Sequence, residues 1–147
     1  MIKALGHLVL KVRDLERSAR FYRDLLGLRE VARYQGRMAF FTVQGSSNHH
    51  DLAILEVGRG APNPAPNAVG LYHVAFKVGD SLDELRQVKA RLEAAGVPIL
   101  GTSDHAVSQS LYLEDPDGNE IELYVDADPA VWRDHPETVA TVRPLAL

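Results

Sequence analysis

Gly6-His7-Leu8-Val9-Leu10-Lys11-Val12 is a strand-like run, and Tyr72-His73-Val74-Ala75-Phe76-Lys77-Val78 repeats its form 66 positions later. Both read His-x-x-x-Lys-Val. The same shift carries Leu55-Glu56-Val57 onto Ile121-Glu122-Leu123. Solenoid arrays repeat at roughly 20–50 residues, so this longer period marks a duplicated module within one domain.

Working outward, each copy has the same order of elements. In the first, Asp14 can cap a helix over Leu15–Leu26, whose apolar positions Leu15, Ala19, Tyr22 and Leu25/Leu26 keep helical spacing, and Gly27 ends it. In the second, Ser81 and Glu84 form a capping box; Leu82, Leu85, Val88, Leu92 and Ala95 line one face, and Gly96 ends it. Three strand-like runs follow each helix: Leu28–Tyr34, Met38–Gln44 and Asp51–Val57, then Ile99–Thr102, Ser108–Glu114 and Glu120–Val125. Asp115-Pro116-Asp117-Gly118-Asn119 is a turn, with Gly118 free to take positive φ. The order β-α-β-β-β therefore occurs twice. Module 1 covers about 1–58, a linker with Pro62, Pro64 and Pro66 covers 59–70, and module 2 covers about 71–126. The tail, 127–147, reads as an irregular wrap with one short helix.

The chain has 147 residues, the size of one domain at roughly 100–200 residues each. Its composition, 46% hydrophobic and 24% charged, is globular rather than disordered. A formal charge of −4 leaves no electrostatic footprint for nucleic acid. No apolar run is long enough for a membrane span, and the N-terminus lacks the pattern of a signal peptide, so a cytoplasmic location is expected. There is no cysteine and there are six histidines. A metal here would be held by imidazole and carboxylate.

Strand parity puts residues two apart on one face. It groups His50, Leu52, Ile54 and Glu56, and separately Glu120, Glu122 and Tyr124. A histidine or glutamate in an apolar strand is costly unless paired or ligated. The repeat could bring His7 and His73 to a common centre, with Glu122 and, by the same pseudo-symmetry, Glu56. Two histidines and a carboxylate suit non-haem Fe(II) with positions open to O₂.

The paired modules resemble the vicinal oxygen chelate superfamily, which includes glyoxalase I, fosfomycin-resistance proteins and type I extradiol dioxygenases. The narrower resemblance is to an extradiol dioxygenase of the catechol 2,3-dioxygenase kind. Residues Asp104 to Glu122 carry it: His105, five residues, Leu111-Tyr112, two residues, Asp115-Pro116-x-Gly118, three residues, Glu122. His50-Asp51-Leu52-Ala53 is a second, shorter match, with His49 as the rival to His50. Ser103, two before His105, is a departure from the usual signature.

The resemblance implies an α+β fold in which two βαβββ modules form one open barrel around a metal site. It implies His7, His73 and Glu122 as the metal ligands, Fe(II) or Mn(II) as the metal, O₂ as co-substrate and a small aromatic diol as substrate, cleaved to a muconic semialdehyde. His50 would handle protons near O₂. His105 and Tyr112 would hydrogen-bond the diol. An apolar cup of Phe40, Phe41, Leu52, Ile54, Phe76, Tyr124 and Trp132 would take the ring, and homo-oligomerisation is expected. Two rivals stay open. One is a glyoxalase-like lyase or isomerase, with Glu56 as a fourth ligand to Ni²⁺, Zn²⁺ or Co²⁺. The other is a metal-free drug-sequestering protein of the bleomycin-resistance type.

Overall fold

The computed structural model describes all 147 residues. They fall into two compact units, Met1–Ala68 and Val69–Leu147, with the division inside the proline-bearing linker. Each unit carries one sheet, and the chain is mixed α+β.

The first unit runs β1 (Leu8–Val12), α1 (Leu15–Arg20), β2 (Arg29–Tyr34), β3 (Met38–Thr42) and β4 (Leu52–Glu56). Its sheet has the order β1-β4-β3-β2, with β1 and β4 parallel and the other pairs antiparallel. Asp14 caps α1 by accepting from the Arg17 N–H at 3.0 Å. The expected single helix to Leu26 is corrected, because Phe21–Leu25 form a wider π turn closed by Leu26 N–H to Phe21 C=O at 3.0 Å. Such turns absorb an extra residue, and here it accompanies burial of two consecutive aromatics, Phe21 and Tyr22. Gly27 ends the segment at φ 83°, a conformation that costs a glycine little.

Cross-strand partners share a face, so the register sorts this sheet. Leu52 pairs Leu8 and Phe41, and Ile54 pairs Leu10 and Ala39. That set packs beneath α1, where the Phe41 and Tyr22 rings lie 6.4 Å apart. Phe40 and Ala53 belong to the opposite face, with Val9. Glu56 pairs Val12 and so lies on the helix side, where its Oε2 accepts from the Leu15 N–H at 2.8 Å. The carboxylate thus satisfies a free amide at the start of α1 and sits at the positive end of its dipole. Glu56→Ala is expected to cost about 1 kcal/mol, the usual scale for a lost N-terminal cap, in urea unfolding, without lowering metal content.

The second unit runs β5 (His73–Gly79), α2 (Leu82–Ala94), β6 (Gly101–Asp104), β7 (Ser108–Glu114), β8 (Glu120–Asp126), a helical turn α3 (Ala130–Arg133), a 3₁₀ turn (Pro136–Ala140) and β9 (Arg143–Pro144). The order is β5-β8-β7-β6-β9, with β5 and β8 parallel. The capping box at α2 is present: Ser81 Oγ accepts from Glu84 N–H at 3.3 Å and donates to Glu84 Oε2 at 2.8 Å. Leu85 and Leu92 are fully buried, whereas Ala95 is exposed at the helix end. The tail is more ordered than an irregular wrap. Its β9 pairs with β6, and Leu145 C=O accepts from Thr102 Oγ at 2.6 Å. This pairing accompanies a β6 that lies two residues later than expected.

The internal repeat is imperfect where it matters most. Leu8 pairs Leu52, but Val74, 66 positions after Leu8, pairs Ile121, which is 69 after Leu52. Glu122 pairs Ala75, whose counterpart Val9 pairs Ala53. The counterpart of Glu122 in the first sheet is therefore Ala53, not Glu56. An odd displacement turns a side chain to the other face, which is why Glu56 meets a helix and Glu122 does not. No helix of the chain is long and apolar enough to cross a membrane.

Candidate functional site

In the second unit, Asp115 sets the register of the β7–β8 hairpin. Its carboxylate accepts from the N–H groups of Asp117 (2.8 Å) and Asn119 (2.9 Å) and from the Asn119 amide (2.8 Å), while Gly118 takes φ 84°. The turn places Tyr112 opposite Glu122 and Ser110 opposite Tyr124. With His73 opposite Glu120 on the neighbouring strand, one face of this sheet gathers His73, Ser110, Tyr112, Glu120, Glu122 and Tyr124. Leu111, Leu113, Ile121, Leu123 and Val125 form the buried reverse face.

Glu122 is only 9% exposed. Its Oε1 accepts from Ser110 Oγ at 2.6 Å and lies 3.3 Å from Tyr112 Oη; its Oε2 lies 3.0 Å from His73 Nε2. His105 Nε2 is 2.7 Å from Tyr112 Oη, and its Nδ1 is 3.0 Å from the Thr141 carbonyl. A carbonyl only accepts, so Nδ1 carries the proton and a neutral His105 must receive the Tyr112 proton at Nε2. Tyr112 has one proton to give. It goes to the closer partner, His105, and Ser110 alone then serves Glu122 Oε1. Burial, and next the charge of Glu122, push the Tyr112 hydroxyl up to about 12, so it stays protonated at neutral pH.

His73 poses a protonation problem that a cation would solve. Its Nδ1 is buried without a hydrogen-bond partner, the 3.4 Å approach of Glu120 Oε1 being too poorly aligned to count. With its proton on Nε2, the ring orphans Nδ1. With its proton on Nδ1, the Nε2 lone pair faces a carboxylate oxygen. A metal ion held by Nε2 and Oε2 would relieve the second arrangement, turning the opposed lone pairs into two donors and leaving the Nδ1 proton on the side of Glu120. The residues here fit the metal that the fold implies.

The first unit brings together His7, His49 and His50. Ring centroids are 4.1 Å apart for His7–His50, 4.5 Å for His49–His50 and 5.9 Å for His7–His49. Phe40 meets His50 edge to face at 5.2 Å. Burial, and next the neighbouring His7 and His49, hold His50 below the usual imidazole range. Asp51 fastens the loop, accepting from Val43 N–H (2.9 Å), Asn48 (2.8 Å), Ser46 (2.7 Å) and Thr42 (2.9 Å). Burial pushes its carboxyl up, but these four donors outweigh it and bring it down to about 2. A carboxyl lowered on folding stabilises the fold above its ordinary range near 3.8, and this contribution fades as pH falls toward about 2. Urea midpoints should therefore fall across that window in the native protein, with a weaker pH dependence in Asp51→Asn.

Several expected wall residues are corrected. Leu52 and Ile54 are 0% exposed, and Phe41 likewise; all three pack under α1. Phe76 pairs Leu123, so it belongs to the reverse face from Glu122. Alternation along the strand, not residue type, decides this. Tyr124 and Trp132 instead border a cavity of about 260 Å³ with Val107, Ser108, Asp126, Pro136 and Val139. Ser110, Glu120 and the Thr141 carbonyl were not anticipated. Parity with Tyr112 and Glu122 signals the first two; nothing local signals the third.

Comparison with known proteins fits these features. Residues 4–123 match the model of the Glyoxalase/Bleomycin resistance protein/Dioxygenase superfamily. The chain is 41% identical over 130 residues to a catechol-2,3-dioxygenase of Bacillus subtilis, a match covering 88% of this chain and 44% of that protein. It is 36% identical over 127 residues to biphenyl-2,3-diol 1,2-dioxygenase 3 of Rhodococcus globerulus, covering 83% of this chain and 63% of that one. The chain thus spans about half the length of these relatives. Among solved structures, a lactoylglutathione lyase of Agrobacterium tumefaciens superposes with a TM-score of 0.65 at 28% identity, over 84% of this chain and 94% of that one. With two β-α-β-β-β modules and a family match spanning both, the chain belongs to the glyoxalase/bleomycin resistance/dioxygenase superfamily, that of the vicinal oxygen chelate fold.

Proposed function

We propose that the chain is an extradiol ring-cleaving dioxygenase acting on a small aromatic diol, with Fe(II) held by His7, His73 and Glu122; Mn(II) would suit the same donors. The observation that carries the proposal is the hydrogen-bonded series beside His73, in which a buried carboxylate neighbours a tyrosine–histidine pair fixed at its far end by a carbonyl. A site that moves one proton between carboxylates has no need of this pair. Two matched relatives are named as dioxygenases of aromatic diols. In this reading residues 1–147 act as one domain to which both modules contribute ligands, and the protein works as a homo-oligomer. The four-ligand alternative is weakened because Glu56 Oε2 is committed to the start of α1.

Bound iron would supply the electron path between diol and O₂. The protein's own groups hold and move protons. His50, kept neutral, can accept one from the incoming diol. Neutral His105 takes the hydrogen bond of Tyr112. Once protonated it becomes a donor at Nε2, and the Tyr112 hydroxyl is released to donate toward Glu122 or a substrate oxygen. Thr141 keeps Nδ1 protonated in both states. Tyr124 and Trp132 offer an apolar wall for a ring, and Phe40 a second beside His50.

Anaerobic loading with Fe(II), followed by catechol, 3-methylcatechol or 2,3-dihydroxybiphenyl in air, tests the assignment. A yellow ring-opened product is the expected result. No product from any of the three, with turnover of a glutathione hemithioacetal instead, would replace it with the lyase reading.

A further inference from the structure

The first unit contains a ligand set that the ring-cleavage site does not use as a whole. The ring nitrogens of His7, His49 and His50 offer three ligand atoms, all within 4.8 Å of one another. His49 Nδ1 and His50 Nδ1 stand 2.5 Å apart. Two neutral rings at that distance need one to donate, and two charged rings would repel. Each of the three rings instead offers one nitrogen to a shared centre, which is how imidazole binds a metal.

The frame beneath the cluster is rigid. Asp51, next to His50, ties the loop to Thr42, Val43, Ser46 and Asn48. Its backbone N–H donates to Phe41 C=O at 2.8 Å, and its C=O accepts from Leu8 N–H at 3.0 Å. The second bond joins the loop to the residue after His7, so the three imidazoles stand on one clamped base. The rings of His7 and His49 are exposed and can rotate to meet an ion at little cost.

We propose that His7, His49 and His50 form a second, all-imidazole cation site, and that it takes a nitrogen-seeking divalent ion such as Zn²⁺ or Ni²⁺. Three neutral nitrogens and no carboxylate favour these ions over Fe(II) and Mn(II), by the stability order of the divalent metals and by ligand type. Three imidazoles with water in the fourth position is a complete zinc coordination set. The site shares His7 with the proposed iron site. Zn²⁺ bound here withdraws one iron ligand, so zinc would inhibit by displacing iron. Only this inhibitory consequence rests on the proposed function; the binding does not.

Zinc titration calorimetry on metal-free protein provides the test, run in a Glu122→Ala background that removes the carboxylate of the iron site. One Zn²⁺ per chain should still bind. Adding His49→Ala should weaken that binding roughly tenfold or more, the scale of disturbing a metal's surroundings, and His49→Gln should behave alike if the loss is one of ligation rather than folding. Histidine ring NMR signals from His7, His49 and His50 should shift with zinc in the single variant. In otherwise native protein, His49→Ala should retain iron when Zn²⁺ is added, where the native chain loses it. The proposal is overturned if the Glu122→Ala protein binds no zinc, or if His49→Ala leaves its zinc affinity unchanged. A chain that passes the zinc test but never opens a diol ring would refute the dioxygenase reading alone.

Discussion

Glu122→Ala is expected to leave the protein without bound iron and to lower ring cleavage by roughly a thousandfold or more, the scale on which one member of a cooperative catalytic set acts. Two effects combine. The metal loses its only proposed carboxylate, and Ser110 loses the buried acceptor that it meets at 2.6 Å. That orphaned donor should also cost about 1–3 kcal/mol of stability, partly relieved by water entering the gap. Metal analysis, steady-state turnover and urea unfolding on the same preparation separate the effects. Ser110→Ala is the informative companion, since it removes only the support of Oε1. It should keep most of the iron when loaded in excess and weaken metal affinity by about 10–100-fold. Full iron content in Glu122→Ala would show that this carboxylate is no ligand.

The second large effect is on stability. Leu52→Ala should cost about 2–5 kcal/mol, because a fully buried leucine between β1, β3 and α1 leaves a cavity that the surrounding strands cannot fill. Its effect on KM for the diol should be small in the folded fraction. Phe40→Ala should do the reverse. Phe40 is only partly buried and meets His50 edge to face, so it should raise KM with a smaller loss of stability. Paired urea curves and kinetics on the two variants test whether alternation has assigned these neighbouring strand positions correctly. Equal rises in KM would place Leu52 in the wall after all.

Much of the fold was legible because the duplicated sequence states its punctuation twice. The caps Asp14 and Ser81, the stops Gly27 and Gly96, and the Asp115–Asn119 turn act locally, within a few residues, and each appears where the sequence puts it. His105, Tyr112 and Glu122 also lie side by side, with Tyr112 Oη 2.7 Å from His105 and 3.3 Å from Glu122, because a tight turn fixes a hairpin register and register fixes faces. The substrate wall was less legible. Leu52, Ile54 and Phe76 have the right chemistry, but a strand exposes its residues alternately, and which half meets the helix depends on packing that no local pattern records.

Glu56 shows the division most clearly. By sequence it is the twin of Glu122, in a matching tripeptide at a matching offset. Sequence alone determined the duplication, the element order, the absence of any thiolate ligand and the spacing of the signature around Glu122. Tertiary structure decided that the two glutamates have different work. Parallel pairing between β1 and β4 joins residues far apart in the chain, and its register is set by side-chain packing and loop length together. A three-residue difference in that register turned one glutamate toward the start of a helix and left the other beside a histidine. The Thr141 carbonyl belongs to the same class of fact. It reaches His105 across 36 residues of chain and fixes that ring's proton only because β9 has paired with β6.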